Sequence, residues 1–143
     1  MYMGLGEHSN EERMSGGNFF STMTNHILIL YIIRLNGIYD IACALAILHI
    51  IYIPGLRELH LGMLTKRNQS GAYEQYFAYW IFTYGIIRLL STDKQLIAYS
   101  YYIEAMVIAF ECFVKKTMVV DKSIFVIITS VLLGYFCQYM DEP

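Results

Sequence analysis

Charge is scarce in this chain. Charged residues make up 15% of its 143 positions, against roughly a quarter in soluble domains. That leaves too little to coat a water-facing surface. There is no basic surplus either. Ten Lys and Arg stand against twelve Asp and Glu, a net charge of −2, and no large basic patch occurs, which excludes nucleic acid as the expected partner. With two prolines and ten glycines, the chain is not of the low-complexity class. The three cysteines, Cys43, Cys112 and Cys137, are odd in number, lie in apolar blocks and form no CxxC. They read as small packing residues rather than a disulfide framework.

Chemical motifs are missing as well. There is no GxSxG, HExxH, P-loop or glycine-rich dinucleotide loop. No catalytic residue and no cofactor is therefore expected. His8, His26, His49 and His60 do not pair at i+3 or i+4, so no metal site is expected. The first 25 residues carry Glu7, Glu11, Glu12 and Arg13 and fit neither a secretory signal nor a transit peptide. Targeting is expected through the first hydrophobic helix as an uncleaved signal.

What the chain has is apolar surface. Hydrophobic residues reach 57% and aromatic ones 15%, with a mean hydropathy of +0.44. They fall in four blocks, residues 27–53, 73–90, 96–114 and 124–140. The last three are close to the roughly 20 residues a helix needs to cross a bilayer. The first is longer and must tilt or protrude; Pro54-Gly55 is expected to end it. These blocks predict an all-α membrane protein, a four-helix transmembrane bundle over residues 26–143 preceded by a flexible or loosely docked polar arm over 1–25. Leu56 to Leu64 has apolar residues at helical spacing, with Arg57, Glu58 and His60 between them. It predicts a short amphipathic helix at the interface. Thr92 and Gln95 have capping-box spacing for the third span. Eight tyrosines near the predicted helix ends fit an aromatic belt; Tyr84 lies deeper and reads as packing.

Cation placement sets the expected orientation. The 54–72 and 115–122 loops hold Arg57, Lys66, Arg67, Lys115, Lys116 and Lys122, while the arm and the 91–95 turn hold Arg13 and Lys94. The richer side faces the cytosol, which puts both termini on the non-cytosolic side. The sequon Asn68-Gln69-Ser70 would then lie on the unglycosylated side.

Five ionisable residues lie inside the blocks, where each costs at least about 2.5 to 3.5 kcal/mol on insertion scales. Arg88, two residues from its helix end, is expected to snorkel. Glu111 precedes Lys115 by four residues, which predicts an interfacial pair. Arg34, Asp40 and Glu104 are deeper. Arg34 and Glu104 sit about 10 and about 12 Å from the outer end at 1.5 Å per residue. Gly37 lies between Arg34 and Asp40 on one face and permits close helix approach. The expected intramembrane cluster is Arg34 paired with Glu104, with Asp40 as second partner. Its simplest role is fixing helix register. Small four-helix multidrug transporters also hold an embedded carboxylate, but a carboxylate paired to its own arginine is a poor cation exchanger.

The second hairpin, YFAYWIFTYGIIRLLSTDKQL followed by IAYSYYIEAMVIAFECFV, resembles the small four-span scaffold family of ergosterol biosynthesis. The shared features are Ile87-Arg88 before a short polar turn and Glu111 before an aromatic. The first block, with IIRLNGIYDIACALAIL, is similar instead to four-span proteins of large DNA viruses and algae. The scaffold resemblance implies gathering of enzymes in the endoplasmic reticulum membrane, without catalysis. The leading expectation is a non-catalytic structural subunit or scaffold, in an endoplasmic reticulum-derived or virion inner membrane. Its partners would be the bilayer and other membrane or capsid proteins, and an oligomer fits the same reading. The alternative is a small transporter or a lipid- or ligand-binding protein that uses Asp40 and Glu104.

Overall fold

The computed structural model describes the backbone of residues 9–65 and 71–139, and side chains from residue 27 onward within those ranges. The expected arm is helical from Ser9 in the described backbone; its first eight residues lie outside the described part, as do the sequon at Asn68 and the end of the fourth block at Met140. The elements are α1 (Ser9–Ile47), α2 (Leu56–Leu61), α3 (Gly71–Leu90), α4 (Lys94–Ala109) running into a π-helical turn (Phe110–Lys115), and α5 (Val120–Gln138). Among the described residues there is no strand, only one isolated bridge between Leu64 and Met118.

Three helical stretches are long and apolar enough to cross a membrane: Ile27–Ile47, Lys94–Lys115 and Val120–Gln138. The protein is therefore an all-helical membrane protein. α3 has 20 residues but is less apolar than these three, because Glu74, Gln75 and Arg88 lie within it and its tyrosines and Trp80 add no hydropathy.

Two helix ends differ from the sequence expectation. α1 stops at Ile47, six residues short of the apolar block. The stop is a Schellman turn built on His49, whose φ is +58°. His49 N donates to Ala46 O at 3.2 Å and Ile50 N to Leu45 O at 2.9 Å. That pair of bonds defines the motif. Glycine or asparagine usually fills the left-handed position, so composition gave no signal there. At α4 the N-cap is Asp93, not Thr92: its Oδ1 accepts from Gln95 N at 2.9 Å and Leu96 N at 3.3 Å. The short carboxylate satisfies two orphan amides at once. α2 covers the first part of the segment expected to be amphipathic and buries Leu61.

α1 packs along α3, and α4 along α5, while the contacts between α1 and α5 are few. At the α1–α3 crossing Gly37 faces Gly85; a Cβ on Gly37 would stand 2.9 Å from the Gly85 carbonyl. Small residues thus bring the two backbones together. The 54–72 and 115–122 loops are tied to each other, with Thr65 N donating to Thr117 O at 2.9 Å and Val119 N to Met63 O at 2.7 Å. One apolar cluster forms at that end around Ile47, Leu64, Ile81 and Ile108. A second forms at the opposite end around Ile33, Ile97, Tyr101 and Cys137. Between them lies a polar layer.

Candidate functional site

The polar layer is centred on Arg88. Its side chain is 1% exposed and reaches from α3 to two other helices. Nη1 donates to Asp40 Oδ2 of α1 at 2.7 Å and to Asn36 Oδ1 at 3.3 Å. Nη2 donates to Glu104 Oε2 of α4 at 2.7 Å, and Nε to Ser100 Oγ at 3.3 Å. Its Cζ lies 3.8 Å from the Tyr101 ring centroid and 5.2 Å from that of Tyr84, so the rings cover the guanidinium faces. α5 contributes Ser130, whose Oγ donates to Glu104 Oε2 at 2.7 Å. Tyr101 OH donates to Asn36 Oδ1 at 2.8 Å.

The sequence expectation for this cluster is corrected in one respect. Asp40 and Glu104 do meet at one cation, but that cation is Arg88. Arg34 instead donates from Nη1 to the Arg88 carbonyl at 2.8 Å and to the Leu89 carbonyl, and from Nη2 to the Ser91 carbonyl at 2.8 Å. It caps the C-terminal end of α3, where unpaired carbonyls and the helix dipole favour a cation. The cause is helix direction. Side chains on a helix lean toward its N-terminus. α1 starts at the end of the bundle that holds the 91–95 turn, so Arg34 leans onto that turn. α3 starts at the opposite end, so Arg88 leans back into the bundle, opposite to snorkelling. Asp40 on α1 and Glu104 on α4 lean toward the 91–95 turn and meet it.

The expected Glu111–Lys115 pair is not formed. Glu111 Oε2 accepts from Thr117 Oγ1 at 2.5 Å and from Tyr73 OH at 3.4 Å, and Lys115 Nζ stands 5.7 Å from the Phe110 ring centroid. The π-helical turn over Phe110–Lys115 ends at Lys116, whose φ of +57° folds the chain back so that Thr117 occupies the Glu111 carboxylate. Sequence reasoning also missed Asn36, Ser100, Tyr101 and Ser130. For two of them the signal was present: Asn36 precedes Asp40, and Ser100 precedes Glu104, by four residues, which places each pair on one helix face.

Two cavities adjoin the layer. The larger, about 650 Å³, runs from Gly55, Glu58 and Lys122 at its mouth to Asp40, Arg88 and Glu104 at its floor. The smaller, about 210 Å³, lies between α3 and α4 with Glu104 at one end and Glu111 at the other. His60 and Met63 line both. His60 sits between Tyr39 and Phe77, at ring-centroid distances of 5.4 and 6.5 Å, and burial holds its pKa below the ordinary 6.5. Among the described residues no group of three His, Cys, Asp or Glu could hold a metal ion.

No family model, no curated protein and no solved structure matches the chain.

Proposed function

We propose that this is a small multi-pass membrane protein that binds and exchanges cations at the Asp40–Arg88–Glu104 site. The observation that carries the reading is a charge count at the floor of an open cleft. One guanidinium serves two carboxylates, both at 2.7 Å. One negative charge is left over in a buried layer, and hydrocarbon does not tolerate it uncompensated. A proton or a cation entering from the cleft supplies the missing positive charge. Entry of a cation then displaces one proton, and charge is conserved. The objection that each carboxylate has its own arginine no longer applies, because Arg34 is engaged elsewhere.

In this reading α3 is the fourth span. Its 20 residues rise about 30 Å as a helix, the thickness of the hydrocarbon core, and it lies along α1 over its Gly37–Gly85 contact. The joined 54–72 and 115–122 loops face the cytosol by their cation excess, so the cleft opens from that side. A scaffold or virion-assembly role remains the alternative, drawn from the resemblances of its two halves. A pull-down in gentle detergent that recovers stoichiometric membrane neighbours would favour it.

Proteoliposomes enclosing a pH dye test the exchange. Tetramethylammonium chloride added outside, a monovalent cation that matches one displaced proton, should drive proton release from the lumen with wild-type protein and not with Glu104→Gln. Equal signals from the two proteins, or none from wild type, would overturn the proposal.

A further inference from the structure

The smaller cavity is built differently from the cleft. Its α3 wall is aromatic: Tyr76, Phe77 and Trp80 line it, with Tyr73 toward the Glu111 end, while Val107 and Ile108 of α4 give the facing wall aliphatic surface. Its two ends are carboxylates. Among the described residues neither Lys nor Arg lines it, and Glu111 forms no ion pair. The hydrogen bonds to the Glu111 carboxylate among the described residues both fall on Oε2, and those to Glu104 likewise. One oxygen of each is thus left for another charge. The lining histidine is His60, whose buried Nδ1 has no hydrogen-bond partner.

Electron-rich ring faces with carboxylates at both ends recognise a positive charge spread over methyl or methylene groups. A hard metal cation is a poor occupant, since calcium takes six to eight oxygen ligands and the walls offer rings and aliphatic surface. A whole phospholipid is too large: about 210 Å³ falls below the roughly 300–1,000 Å³ of drug-sized sites. We infer that the pocket between α3 and α4 binds a small organic cation of the alkylammonium class, its charge between Glu111 and Glu104 and its methyl groups against Tyr76, Phe77 and Trp80. Through the shared Glu104 this rests on the exchange reading and names its substrate class. His60 and Met63, which line both cavities, stand on the route between pocket and cleft.

The chain carries one tryptophan, and Trp80 is in the wall, so its fluorescence reports occupancy directly. Purified full-length protein in neutral detergent is titrated with choline chloride and, separately, with 3,3-dimethylbutan-1-ol, the uncharged carbon isostere. A saturable Trp80 response to choline is expected, at least tenfold weaker with the isostere. Glu111→Gln keeps an acceptor for Thr117 and should bind choline at least tenfold more weakly. If circular dichroism shows that variant unfolded, Phe77→Leu takes its place with the same expectation. Equal responses to the two probes, no response, or unweakened binding by the folded variant overturns the inference. Choline binding without proton release in proteoliposomes leaves the pocket standing and removes the exchange reading. Proton release without choline binding does the reverse.

Discussion

Arg34 Nη1 donates to the main-chain carbonyl of Arg88 at 2.8 Å, while the Arg88 side chain turns away from that contact to Asp40 and Glu104. The two arginines lie side by side on antiparallel helices and lean in opposite directions. One ties down a helix end; the other holds the centre of the bundle.

Arg34 is therefore separable from the charged layer. Arg34→Met should cost about 1 to 2 kcal/mol, the value of a cation at a partly buried helix C-terminus. In thermal unfolding in detergent its effect should add to that of Glu104→Gln within about 0.5 kcal/mol. Strong coupling between those two positions would mean that Arg34 reaches the carboxylates.

The α1–α3 contact leaves no room for a methyl group. Cβ atoms at Gly37 and Gly85 would stand 2.9 Å from the facing carbonyls, and backbone cannot swing aside. Gly37→Ala should lower stability by about 1 to 3 kcal/mol, as overpacking does. Gly71→Ala, where nothing among the described residues lies within 4 Å, should be neutral or slightly stabilising. The comparison fails if both glycines tolerate alanine equally.

Burial holds His60 below 6.5, so the folded protein keeps it neutral where the unfolded chain takes up a proton. Stability is lost as pH falls below 6.5, because the unfolded state then binds more protons, and it is unaffected above that value. Between about pH 7.5 and about pH 5.5, His60→Gln should lose less stability than wild type. The difference is at most about 1.4 kcal/mol, the worth of one pH unit. An identical pH dependence in the two proteins would show that His60 titrates normally.

Membrane crossing by α3 is checked with a membrane-impermeant maleimide on sealed vesicles. The native Cys43, Cys112 and Cys137 are buried and serve as background. Glu58→Cys and Lys116→Cys should label from one side and Ser91→Cys from the other. Labelling of residues 58 and 91 from the same side would leave α3 outside the bilayer.

Much of this organisation is legible in the sequence, but unevenly. Apolar block length marks the three apolar spans, since burying backbone in lipid demands helices. Block length does not mark the end of α1, because Leu48 to Ile53 remain apolar after the His49 turn has ended the helix. Asp40 and Glu104 are legible as a buried pair from the cost of charge in hydrocarbon. Their partner is not legible from depth alone. Arg88 sits near a helix end by residue count, and only the direction of α3 sends its head inward. The Glu111 environment depends on a π-helical turn, for which FECFVK offers no composition signal.

The central claim is that Arg88 is the shared partner of Asp40 and Glu104. Unfolding free energies for Arg88→Met, for Asp40→Asn with Glu104→Gln, and for all three substitutions together test it most directly. Arg88→Met strands two buried carboxylates and should cost at least about 3 to 5 kcal/mol, the loss seen when one partner of a buried pair is removed. The triple variant carries no buried charge in the layer and should recover most of that loss. A triple variant no more stable than Arg88→Met alone would contradict the claim.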